Sequence, residues 1–502
     1  MGLMQFLVPH RDRLPPHAER WAYLAGIDGV AWRSENRATD EGLELERNED
    51  DSGTLSIPWC VDGHGVVTLA TGSLMQRDRP YHLTVELARG TLNRIRNQIA
   101  KWVAIGLLVP EEVNARLLEA QSLLAQAVTG QEEVAAAGVT ADMVIALGCE
   151  VIEGLAEAYS AQALARRHRQ MPKLATLFGA ALGETDLDAS TDPEWGEAFN
   201  TALIDLSWKQ IERRDGHFDF DRTDRQITWA RNRKMKICGG PVLRFDDAGM
   251  PDWLYLWEGE YDQIIRSVER YVEQVVKQYV GKVNLWMCGG RINTGRALSL
   301  TDEQRLRLTV RAIEVTRSID ERAPVVVGFD QPWGEYMSRE AHDLSGLHFA
   351  DALVRAQLGV AGIALEMNLG YHPGGTLPRH ALDLNRQIDH WTQLGLPLVL
   401  VLTVPSGYSD DSSAPRSSAQ GPSSQGTTEV VTDTRLNAAS QRAWIDSMVP
   451  MLMAKQAVQG IIWNQLHDGQ PHGFPHAGLI DAQGNAKPAV ASLIKLRETH
   501  LS

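Results

Sequence analysis

The sequence predicts an α/β fold, a (β/α)8 TIM barrel preceded by an N-terminal β-rich module and a helical segment. Three observations predict it. From Leu174 to Leu496, eight short apolar runs alternate with long helical patterns, the rhythm of strands wound around a barrel. Those runs are nearly continuous in apolar residues, as in parallel strands buried on both faces. Before them the period is first two, then about 3.6.

The first region, residues 1–90, reads as the β-rich module. "GLELERN", "GVVTLATGSL" and "PYHLTVELARG" alternate apolar and polar residues between Gly, Asp and Pro, the pattern of half-buried strands. Residues 91–172 read as helical: "TLNRIRNQIAKWVAIGLL" places Leu92, Ile95, Ile99 and Trp102 on one helix face. With no Gly/Ser- or Pro-rich spacer between these parts, the module is expected to pack on the barrel through the helices. Residues 173–502 form the barrel. Its strands are "LATLFGAAL", "FNTALIDL", "MKICGGPVL", "VNLWMCGG", "PVVVGFD", "AGIALEMNL", "PLVLVLTV" and "GIIWNQL". Helical stretches such as "YDQIIRSVERYVEQVVKQYVG" and "TDEQRLRLTVRAIEVTRSID" separate them. One segment, 406–431, is rich in Ser, Gly and Pro and reads as a long loop on the functional face.

A chain of 502 residues suits two or three domains. Its net charge of -15 disfavours nucleic acid as a partner. No run of about 18 apolar residues stands out, so no membrane partner is expected. The N-terminus lacks the apolar core of a signal peptide, which makes the expected location cytoplasmic. Cys60, Cys149, Cys238 and Cys288 form no C-x-x-C pair, and Cys238 and Cys288 lie in apolar runs as small buried side chains. His467, His472 and His476 match no standard zinc spacing. No metal and no cofactor is expected.

Particular phrases go further. "WKQIERRDGHFDFDRTDRQITWARNRKMKI", "PDWL" after the third strand, and the closing "GIIWNQLHDG" with "GLIDAQGNAKPAV" resemble glycoside hydrolase family 10, the endo-β-1,4-xylanases. The resemblance covers about two thirds of the chain. It implies two catalytic glutamates, but Gly290 and Arg291 stand at the acid's place and Leu402 near the nucleophile's. Leu203, Ile204 and Ser207 replace the sugar-binding residues before Trp208, and Gly240 replaces a histidine. Asp330 keeps part of the strand-five motif, while Glu366 and Asn368 stand in the strand-six motif. Glycoside hydrolysis by this route needs two carboxylates flanking the bond. Arginine does not deprotonate near neutral pH and leucine cannot stabilise an oxocarbenium ion, so family-type xylanase activity is not expected.

The acids left at strand ends are Asp330, Glu366 and Asp468, with Asp205 on strand two. A glutamate inside "GIALEMNLG" needs a partner, and Arg291, Arg244 and Arg379 are the candidates. If the barrel is active, Glu366 with Asp330 or Asp468 is the expected catalytic pair. Trp208, Arg291, Asn293, Trp333, Asn368, Tyr371, Arg379 and Trp463 are the candidate substrate contacts, because rings stack on sugar faces and polar groups read hydroxyls. The expected partner is an oligo- or polysaccharide or another glycoside. Two functions follow: a β-glycoside hydrolase with non-standard carboxylates, or an inactive barrel that binds saccharide or serves as a scaffold.

Overall fold

The computed structural model describes residues 2–188, 190–340, 342, 344–409, 411 and 428–501. Eight parallel strands close into a barrel: β1 (Leu177–Ala181), β2 (Thr201–Ile204), β3 (Lys236–Gly239), β4 (Leu285–Gly290), β5 (Val325–Asp330), β6 (Val360–Asn368), β7 (Leu398–Thr403) and β8 (Val458–Trp463). Each pairs with the next, and β8 returns to β1 through Ile461 opposite Phe178. Six lie within the predicted runs, while β6 begins one residue before its run, at Val360, and β8 two residues before, at Val458. A short extra strand, Leu243–Arg244, lies along the end of β4.

The continuous apolar character has the expected cause. Leu203, Cys238, Leu285, Met287, Val326, Ala364, Val399, Val401 and Ile462 fill the lumen. The alternate residues, such as Trp286, Phe329, Leu365, Leu402 and Trp463, join the large cluster beneath the helices. The helix over Asp302–Ile319 begins where the Thr301 hydroxyl accepts a hydrogen bond from the Gln304 backbone amide and the Gln304 side-chain oxygen accepts one from the Thr301 amide, a capping box. The helix Tyr261–Tyr279 buries Ile264, Val268, Val272, Val275 and Val276 on one stripe.

The N-terminal region forms two four-stranded sheets. One includes Gly2–Leu7 paired with Gly42–Arg47, and the other pairs Gly53–Val61 with Gly65–Leu74. Three helices follow: Leu83–Ala104, Glu111–Thr129 and Val134–Gln170. Leu92, Ile95 and Trp102 are buried as the periodicity predicts. "PYHLTVELARG" is corrected: after two strand residues it opens the first helix, because Leu83, Leu87 and later Ile95 share one helical face. The Val134–Gln170 helix is long and apolar. Over an 18-residue window its mean hydropathy is 1.7, enough for a membrane span by length and composition, and half of that window is buried in the protein.

The sheets touch the barrel directly as well as through the helices. The Thr68 amide donates to the Pro378 carbonyl at 2.9 Å, the Val66 amide to Asp433 at 2.9 Å, and Arg379 to the Tyr23 hydroxyl at 2.9 Å. From the helices, Arg167 donates to the Lys455 carbonyl at 3.1 Å. Most of the predicted loop at 406–431 lies outside the described residues.

Candidate functional site

The C-terminal mouth of the barrel is built from charged side chains. Arg291 follows β4 directly, in the left-handed region at φ 52°, an uncommon conformation for a non-glycine residue. Its Nη2 donates to Glu366 Oε1 at 2.6 Å and its Nε to Oε2 at 3.4 Å. Nη1 reaches Asp246 at 3.2 Å, and Nε lies 4.0 Å from Asp330 Oδ2. Asp246 also accepts from Arg244 at 2.8 Å.

Glu366 sits on β6 opposite Asp330 on β5, both facing the lumen side in phase with Ala364 and Val326. Two amides complete its shell. Asn368 donates to Glu366 Oε1 at 2.8 Å and Asn464 at 3.2 Å. Asn464 also donates to Asn368 Oδ1, as does Thr403 of β7 at 2.8 Å. Asp330 accepts from Thr294 and, at 3.4 Å, from Gln331.

The four carboxyls here divide by contact. Burial pushes Glu366 up, but Arg291, Arg244 and the Asn368 hydrogen bond outweigh it and hold the group below its ordinary range. Asp246 is likewise held low by Arg244 and Arg291 against its burial. Asp330 has only the more distant Nε of Arg291, at 4.0 Å, and no hydrogen bond from it. Burial, only partly offset by Arg291 and reinforced by Glu366, pushes it up to about 6. Burial also raises Asp205. The space left beside Arg291 and Glu366 is about 40 Å³, close to the volume of one water molecule and far below the roughly 300 Å³ of a small ligand pocket.

Of the predicted residues, Arg291, Glu366, Asp330 and Asn368 meet at this mouth. Asn293 stands beside it in a supporting role, donating to the Asp330 carbonyl at 2.9 Å and to the Tyr336 hydroxyl at 3.1 Å while fully buried. Asp468 is placed elsewhere: it pairs with Lys487 and accepts from the Gly478 amide at 2.7 Å, as a buried structural carboxylate. Trp208 is a core residue, stacked on Tyr271 with its indole bonded to Glu212 at 2.6 Å. Trp463 points outward in alternation with Ile462 and bonds the Ala477 carbonyl at 2.8 Å. Tyr371 is fully buried, bonded to the Pro475 carbonyl at 2.8 Å and packed on Phe474. None of these three rings offers a face to a ligand. Arg379 pairs with buried Glu335 rather than Glu366. With Trp333, whose ring lies 5.0 Å from its guanidinium, it lines a different cavity.

Asp246, Thr403, Asn464 and Gln331 were not anticipated. Thr403 and Asn464 were within reach, since each lies two residues beyond a lumen side chain, Val401 and Ile462. Among the described residues no group of three metal-ligating side chains occurs. His472 contacts Asp411 at 3.0 Å.

Residues 171–288 match the family model described as glycosyl hydrolase family 10. This barrel resembles glycoside hydrolase family 10. Among solved structures it is similar to native xylanase 10B from Thermotoga maritima, at 15% identity and a TM-score of 0.48, covering 66% of this chain and 97% of that one. A family 10 structure from Paenibacillus barcinonensis aligns at 16% identity and a TM-score of 0.48 over 68% and 98%. Xylanase 10B from Thermotoga petrophila RKU-1, in complex with xylobiose, aligns at 15% identity and a TM-score of 0.47 over 67% and 96%. No curated protein matches.

A Cβ on Gly290 would lie 2.9 Å from Pro241 Cβ, and one on Gly240, at φ 138°, would lie 2.4 Å from the Met287 carbonyl oxygen. Both positions are closed to a side chain unless the backbone shifts. Leu402 packs into the outer cluster. The inward residues of β7 are Val401 and Thr403.

Proposed function

We propose that this barrel recognises a saccharide without hydrolysing it. The observation that carries this reading is the Arg291–Glu366 pair, which occupies the mouth and leaves about 40 Å³ beside it. A two-carboxylate mechanism needs both acids free to face the glycosidic bond. Here the better placed carboxylate is bound by a cation and two amides. Recognition then falls to the rim, where Arg244 is partly exposed and keeps guanidinium N–H groups beyond those on Asp246, donors suited to sugar hydroxyls. The support for a saccharide is the family 10 match over residues 171–288.

A second reading keeps hydrolysis, with Asp330 as the acid and Glu366 as the base or nucleophile. It is favoured by the opposed displacement of the two groups, one raised to about 6 and one held low, the pattern of an acid beside a base. It requires Arg291 to leave the mouth. Calorimetric titration of the full chain with β-linked oligosaccharides, followed by chromatography of each mixture, separates the two. Saturable binding with unchanged oligosaccharide fits the first reading. Product that disappears in Glu366→Gln establishes the second. No binding to any saccharide overturns both.

A further inference from the structure

An apolar cavity of about 430 Å³ lies where the N-terminal sheets, the Val134–Gln170 helix and the barrel meet. It shares no lining residue with the mouth. The sheets supply Val67, and the long helix supplies Ile152. The barrel supplies Leu369 and Val404, the residues just beyond β6 and β7. The helix Ala438–Ala454 closes the remaining side with Trp444 and Met448. The volume falls within the roughly 300–1,000 Å³ of small-molecule sites, which favour such junctions between folded units.

Part of this apolar wall is within reach of a ligand. Ile152, Leu369 and Val404 are buried, but Val67, Trp444 and Met448 are only partly buried. Trp444 and Met448 stand four residues apart on one helix, so they share a face. That face sets an indole ring beside a thioether, and both groups pack well against an aromatic partner.

The polar groups of the wall are already engaged or enclosed. Gln441 donates its amide nitrogen to the Val404 carbonyl at 3.0 Å, and its oxygen is fully enclosed. The Val66 amide donates to Asp433 at 2.9 Å, and the Val431 amide to the Gly370 carbonyl at 2.8 Å. Arg379 is paired with buried Glu335, and Arg435 lies 3.6 Å from Asp433. Glu153, itself exposed, contacts His64 at 2.8 Å, and His380 lies 3.5 Å from Asp383. None of these side chains is left as an unpaired charge. An ion moved against this wall would lose its water without gaining a partner.

We propose that this cavity binds a neutral apolar molecule built on a flat aromatic ring system, the ring lying against Trp444 and Met448. The bound molecule touches the sheets, the long helix and the barrel at once, and its binding stabilises the fold. The site is independent of the barrel mouth and of the reading given for it.

Fluorescence titration of the full chain with N-phenyl-1-naphthylamine, an uncharged ring probe, tests this. The probe should bind saturably, one per chain, with Kd below about 100 μM, and should raise the melting temperature. As competitors, 2-naphthol should displace it at least roughly tenfold more effectively than 2-naphthoate, which adds a charge, or 1-octanol, which lacks the ring. Trp444→Leu keeps the wall apolar but removes its ring, and should weaken the probe by about fivefold or more with the native circular dichroism retained. Met448→Arg brings a cation into the wall and should weaken it by about tenfold or more. The proposal is overturned if the probe does not saturate, if naphthoate or octanol competes as well as naphthol, or if Trp444→Leu leaves the affinity unchanged.

Discussion

Replacing Arg291 with Met removes the cation from the barrel mouth while keeping much of its apolar stem. The side chains of Arg291 and Glu366 are 16% and 19% exposed, so solvent screens the pair little. Breaking a buried pair by removing one partner costs about 3–5 kcal/mol. Glu366 keeps the amides of Asn368 and Asn464, which places the expected loss near the lower end, about 3 kcal/mol. For a unit of this size that corresponds to a melting temperature lowered by roughly 6 °C. The pH dependence gives the sharper check. In the native protein Glu366 is held below its ordinary value. Its stabilisation is therefore present above the unfolded value of about 4.3 and lost as pH falls through the lower folded one. In Arg291→Met, burial is opposed only weakly and Glu366 moves up, so protonation relieves the variant. Thermal melts should show the full deficit at about pH 7 and a smaller one at about pH 5. An unchanged melting temperature at neutral pH, or a deficit independent of pH, would refute the ion-pair account.

Three further outcomes follow from the same geometry. Asp330, raised to about 6, destabilises the fold when ionised. The native protein should therefore gain on the order of 1–2 kcal/mol between about pH 7 and pH 5, and Asp330→Asn should lack that gain in parallel melts. Lys487→Met leaves Asp468 buried without its cation, so the melting temperature should fall by an amount equivalent to about 3 kcal/mol, with saccharide binding unchanged. A change in binding at constant stability would restore Asp468 to the site. Gly290→Glu places a carboxylate at the end of β4 beside Arg291 but drives its Cβ against Pro241. It should cost about 1–3 kcal/mol and yield no xylan hydrolysis, and gained activity would show that the mouth is more open than described.

The barrel was legible because strands buried on both faces leave an unmistakable apolar run, and all eight were found. The pairing of Glu366 was legible for a related reason: a glutamate inside such a run needs a partner, and Arg291 follows the nearby β4. The aromatic assignments failed on phase. Trp463 and Ile462 are equally apolar in sequence, and only the closed barrel shows that Ile462 faces the lumen while Trp463 faces the helices. Trp208 failed because nothing local signals that Tyr271 and Glu212 enclose it. "YHLTVEL" alternates like a strand, and only the longer pattern through Leu92 and Ile95 reveals the helix. The 430 Å³ cavity was beyond sequence reasoning, since it joins residues near 67, 152, 404 and 444.

The central claim is that this glycosidase-like barrel does not cleave glycosides at its mouth. The measurement that tests it most directly is the release of reducing ends from β-1,4-xylan and a panel of β-linked oligosaccharides, with native protein and Glu366→Gln purified side by side. The account predicts that neither preparation exceeds the buffer blank. Turnover by the native protein that Glu366→Gln abolishes would contradict it and make Glu366 a catalytic residue.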